Sequence, residues 1–91
     1  MEKQRTTVRV AGKEYALVSS DSPEHLNRVA GYLDRQITET VFATRLPKET
    51  VTVLVAMNIT DELMKAQEEN ARLRRELNEM RKAQSAAGEA E

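Results

Sequence analysis

No cysteine occurs in the 91-residue sequence, which excludes disulfide stapling, thiolate metal sites and thiol catalysis and fits a reducing compartment. Aromatic side chains are nearly as scarce: Tyr15, Tyr32 and Phe42 are the whole supply, too few for a row of base-stacking platforms. Glycine occurs only at Gly12, Gly31 and Gly88, too scattered for a phosphate-cradling loop. The single histidine, His25, has no cysteine or acidic cluster beside it to complete a metal site. No run approaches the roughly 18 consecutive apolar residues that span a bilayer. The opening Met1-Glu2-Lys3-Gln4-Arg5 gives way to alternation and not to the apolar block of a signal peptide, so a cytoplasmic protein without membrane insertion is expected. Charge of one sign is lacking too, the formal net charge being -1, and electrostatics alone predict no nucleic-acid partner.

Catalytic constellations are also missing. Asp61 and Glu62 are adjacent, so on a helix they point to different sides and cannot flank one substrate atom. Ser19, Ser20 and Ser22 cluster where a helix begins, and capping accounts for them. No nucleophile has a base and an orienting group within its own segment. The expectation is a non-enzyme with no cofactor, no metal and no small-molecule substrate.

What the chain does contain is charge, at 32% of residues, and apolar side chains, at 40%. A domain this short buries too little of its own surface to be comfortable alone, so a partner chain is expected. Thr6 to Ala11 alternates with Val8 and Val10 on the inward side, the period of a half-buried strand. Gly12-Lys13 then suits a type II′ turn, and Glu14 to Val18 forms the return strand with Tyr15 and Leu17 inward. Ser22 caps a helix that starts at Pro23, with Glu24 complementing its dipole. Leu26, Val29, Ala30, Leu33, Ile37 and Val41 make one stripe along it, suited to covering the hairpin. A loop is predicted around Thr44 to Lys48, since Pro47 disfavours helix at Leu46.

Glu49 to about Ala83 contains neither Gly nor Pro, which predicts a helix of about 50 Å. Its first part, Val51 to Met57, is apolar nearly all round and is expected to be buried on more than one side. Beyond it Ile59, Leu63, Ala66, Asn70, Leu73, Leu77 and Met80 are spaced four, three, four, three, four, three, a coiled-coil seam. With Leu63 at position a, Asn70 is also at a, where Asn commonly selects register and strand number in parallel dimers. Position g holds Glu62, Glu69 and Glu76, and position e holds Gln67, Arg74 and Arg81. Parallel pairing sets Glu69 against Arg74 and Glu76 against Arg81 of a second copy, whereas reversing one chain opposes like charges. The fold class that follows is α+β, a small dimeric head of hairpin and short helix over residues 1–58 with Leu54 in its core. A parallel coiled-coil helix over 59–84 and a flexible tail over 85–91 complete it. Lys3, Arg5, Arg9 and Lys13, with Arg45 and Lys48, could dock an acidic surface.

The stretch Leu54-Val55-Ala56-Met57-Asn58-Ile59-Thr60-Asp61-Glu62-Leu63 resembles the ZapA family of bacterial cell-division proteins, in which an apolar run closes with an Ala-x-Asn-Ile-like segment and enters the coiled coil. Val8-x-Val10-x-Gly12, Tyr15-x-Leu17 and Val29-Ala30-Gly31-Tyr32-Leu33-Asp34 carry the likeness further, over about residues 6 to 80. The resemblance implies a partner, the tubulin-like division GTPase FtsZ, whose filaments such proteins bundle at midcell. It also implies a homodimer through the coil and a homotetramer as an antiparallel pair of dimers, for which this coil is short. By position, Lys13 and Glu49 match the family's filament-contacting charges; Arg9 and Lys48 join them by proximity in sequence. The readings of another class are a small dimeric nucleic-acid-binding protein, recognisable by steep salt dependence, and a generic coiled-coil adaptor.

Overall fold

The computed structural model describes residues 2–90, with side chains through residue 88. Its elements are β1 (Gln4–Val10), β2 (Lys13–Ser19), α1 (Pro23–Thr44) and α2 (Lys48–Ala90), the α+β hairpin-and-helix class expected. The chain divides into two compact units, Met1–Ala56 and Met57–Glu91.

In the first unit β1 and β2 pair antiparallel, with Thr6 opposite Leu17, Val8 opposite Tyr15 and Val10 opposite Lys13. Directly opposed residues share a face of the sheet, so Thr6, Val8, Val10, Lys13, Tyr15 and Leu17 point one way. Arg9 and its partner Glu14 point the other. Thr6 and Val8 are buried beneath α1.

The turn differs from expectation by one residue. Its two central positions are Ala11 and Gly12, not Gly12 and Lys13, and both have positive φ, 54° and 82°. That is the signature of a type I′ turn, whose twist matches the flanking strands as well as type II′ does. Glycine serves the second central position, and Ala11 takes the left-handed conformation without glycine's freedom.

α1 begins as the sequence predicts. The Ser22 side chain accepts a 3.1 Å hydrogen bond from the His25 amide, and Pro23 occupies the first turn, where its missing N–H is no loss. The helix ends at Arg45, left-handed at φ 60°, whose amide donates to the Val41 carbonyl at 2.8 Å. Pro47 follows, and its carbonyl accepts from the Val51 amide at 3.0 Å, opening α2 at Lys48.

The buried apolar residues among those described are Val8, Ala30, Ile37, Val51 and Val55. Of the stripe expected on α1, only Ala30 and Ile37 are fully covered, while Val29 stays exposed. Within the single chain the run from Val51 to Met57, expected to form a core shared by two copies, is covered on one side. Val51 and Val55, one helical turn apart, are covered, whereas Val53, Leu54 and Met57 are 59%, 39% and 65% exposed. Within the first unit one hairpin and one helix offer a single apolar surface to the start of α2, which leaves Val53 and Leu54 uncovered there.

The second unit continues α2. Its helix runs through Ser85 to Ala90, where the sequence reading placed a tail; Glu91 lies outside the described residues. Ala86, Ala87 and Ala90 are strong helix formers, and a lone Gly88 costs only about 1 kcal/mol.

Candidate partner-binding site and pairing helix

Ala11 is held from two directions. Its amide donates to Asp34 Oδ1 on α1 at 2.8 Å, and its carbonyl accepts from Lys48 Nζ, at the start of α2, at 2.9 Å. A residue in a left-handed conformation costs roughly 1–2 kcal/mol when it carries a Cβ, and these two bonds offset that. Gly12 is suited by its backbone and not by lack of space: at φ 82° few residues with a Cβ are at ease, while a Cβ there would make only ordinary contact, 3.6 Å from Lys48 Nζ.

Beside this turn lies a recess of about 280 Å³ lined by Ala11, Lys13, Tyr15, Lys48, Glu49 and Thr52. The hairpin register aims Lys13 to the Val10 side of the sheet, and the first turn of α2 delivers Lys48 and Glu49. Three of the four residues expected to contact a partner are therefore gathered in one place. Arg9 is not among them, because strand alternation sends it to the opposite face with Glu14. Lys48 has a structural duty that sequence reasoning missed, since its ammonium fastens the turn while keeping two further N–H donors. Asp34 was missed as well. Its signal is its spacing of four from Ala30 and three from Ile37, the two buried residues of α1, which places it on the covered side of the helix. Two ammonium groups and a carboxylate around a shallow recess can grip a charged partner surface.

A second, apolar cleft of about 330 Å³ opens between hairpin and α1, with Val8, Tyr15, Leu17, Val29 and Ile37 among its walls. Tyr15 and Leu17 face the core side as expected, yet remain 47% and 40% exposed.

On α2 the expected seam is uncovered. Leu63, Leu73, Leu77 and Met80 are between 46% and 63% exposed, Leu54, Ala66 and Asn70 are exposed, and Ile59 is half-buried. Off the seam, Lys65 pairs with Asp61 at 2.8 Å, one turn back, which raises the Lys65 pKa, chiefly through the hydrogen bond to that carboxylate. Glu69 and Glu76, expected to reach a second copy, both bond to Arg72 of their own helix. Hydrogen bonding from Arg72 holds the Glu69 carboxyl below its ordinary range and raises the guanidinium in turn. Arg74 and Arg81 are exposed. Among the described residues no group of three or more His, Cys, Asp or Glu side chains could hold a metal ion, and no helix is long and apolar enough to cross a membrane.

A family model described as cell division protein ZapA matches residues 6–89. A cell division protein ZapA from Geobacillus kaustophilus (strain HTA426) is 38% identical over 78 residues, covering 82% of this chain and 84% of its own. That of Bacillus subtilis (strain 168) is 33% identical over 81 residues, or 86% and 93% of the two chains. Among solved structures, a ZapA mutant dimer from Geobacillus stearothermophilus is similar with a TM-score of 0.73 at 34% identity, over 86% of this chain and 92% of that one.

Proposed function

The chain belongs to the ZapA family of cell division proteins, and from that premise we propose that it is a non-enzymatic accessory protein that self-associates through α2, binds FtsZ filaments through its head and crosslinks them at midcell. The observation that carries the pairing is the exposed stripe of Leu63, Leu73, Leu77 and Met80. Apolar side chains at 3.5-residue spacing gain little in water and much against the same stripe of a second copy. The solved relative described as a dimer supports self-association, and a dimer of dimers would place heads at both ends of a rod.

The recess beside the hairpin turn is the filament contact in this reading. Lys13 and Glu49 make the charged contacts, and Lys48 keeps the turn that presents Lys13. Arg9, on the opposite face of the sheet, contributes at most from the edge of the contact. Each head binds weakly, and crosslinking follows because the second attachment of a multivalent rod is effectively intramolecular.

Pelleting of FtsZ filaments with and without the protein tests this. The unaltered chain is expected to bundle them, and Lys13→Glu to keep the oligomer's mass while losing the bundling. Undiminished bundling by Lys13→Glu would remove Lys13 from the contact.

A further inference from the structure

Arg72 stands at position c of the heptad frame, three residues after Glu69 and four before Glu76, the glutamates at g. Its Nε donates to Glu69 Oε2 at 3.1 Å and its Nη2 to Glu69 Oε1, while Nη1 donates to Glu76 Oε1 at 2.6 Å. One guanidinium thus gathers both carboxylates within its own helix, using the planar fork that suits Arg and not Lys to such a contact. At about 100° per residue, position c lies about 40° beyond g on the side away from the seam. Arg72 therefore draws Glu69 and Glu76 outward, away from where a parallel partner offers Arg74 and Arg81.

We propose that Arg72 sets how strongly charge controls pairing of the coil. By holding Glu69 and Glu76 in their own chain, it competes with their cross-chain partners and weakens the parallel preference that the e and g residues encode. It also screens the glutamate rows from each other, lowering the repulsion that would oppose an antiparallel approach of a second copy. The control of orientation then falls to Asn70 and the head. This inference rests on the pairing of α2 put forward above.

The test is Arg72→Gln in the full chain, which keeps the length of the side chain and removes its charge and fork. Dimer affinity is read by sedimentation equilibrium, or by subunit exchange if the dimer is too tight to dissociate. With two pairs released on each chain, the dissociation constant is expected to fall roughly three- to tenfold at low salt, the range that exposed ion pairs allow. The gain should vanish near 1 M salt, where charges more than about 3 Å apart are screened. It should also disappear when Arg74 and Arg81 are both changed to Gln, because the released glutamates then have no partner. Arg72→Lys, charged but without the fork, is expected to fall between the two proteins. Dimers of equal affinity, or a weaker Arg72→Gln dimer, would overturn the competition while leaving the pairing intact. A monomer at every concentration for both proteins would overturn the pairing and this inference together.

Discussion

The amide of Ala11, in the hairpin turn, donates a 2.8 Å hydrogen bond to the carboxylate of Asp34 on α1, 23 residues further along the chain. The contact joins the tip of the hairpin to the helix that covers it. A hydrogen bond to a charged, partly buried acceptor contributes about 1.5 to 3 kcal/mol, so Asp34→Ala is expected to destabilise the head by about that amount. Asp34→Asn retains an accepting oxygen and should lose less. Urea midpoints for the three proteins, with hydrogen exchange at the Ala11 amide, check this; equal midpoints for wild type and Asp34→Ala would show the bond to be idle.

Ala11 itself offers a gain. At φ 54° it pays the left-handed penalty of a residue with a side chain, and Asn or Gly suits that turn position better. Replacement by Gly relieves the strain but widens the unfolded ensemble. The net expectation is therefore a rise of up to about 1 kcal/mol for Ala11→Gly and a comparable one for Ala11→Asn, read as an increase in thermal midpoint. A fall in both would mean that the methyl group packs more usefully than its exposure suggests.

Lys48 separates positioning from contact. Lys48→Met removes the 2.9 Å bond to the Ala11 carbonyl. That bond is exposed to solvent, so its loss costs only about 0.5 to 1.5 kcal/mol despite its charge, yet filament pelleting should fall by a larger factor because Lys13 loses its fixed turn. Hydrogen exchange should quicken at Ala11 in this variant and stay unchanged in Lys13→Glu. If pelleting falls with no change in exchange, Lys48 touches the filament directly.

Asn70 is the polar interruption of the seam. Its replacement by Leu is expected to raise the thermal midpoint and to admit oligomers beyond the wild-type species. Sedimentation velocity resolves the two, and an identical single species for both proteins would place Asn70 outside the interface.

Acid acts on Glu69 in a defined direction. Arg72 lowers its pKa, so the stabilisation is complete above the ordinary glutamate range and is lost as pH falls through the lowered value. A carboxyl titration by NMR should find Glu69 protonating below the usual glutamate pKa, and Arg72→Gln should move it back up. No movement in that variant would assign the shift to something other than the guanidinium.

The local features of this fold were legible because their causes are local. Ser22 before Pro23 is a complete helix start within four residues, and the four-three spacing from Ile59 to Met80 needs no tertiary knowledge. The turn was misplaced by one residue because Gly12 fits either central position, and what holds Ala11 in its rare conformation comes from Asp34 and Lys48, far off in sequence. The helix persisted past Ser85 because alanine propensity outweighs a single glycine. At the candidate site, Lys13 and Glu49 converge through the hairpin register, and the same alternation already told Arg9 to face away.

Val8, Ala30, Ile37, Val51 and Val55 are a small core for a first unit that leaves Tyr15, Leu17, Val53 and Leu54 exposed. With the pairing proposed above, folding and assembly would be coupled, and the melting temperature is expected to climb with protein concentration. In a cell such coupling would make abundance self-correcting: an orphan chain would open to proteases more often than a paired one, and surplus protomers would be removed first.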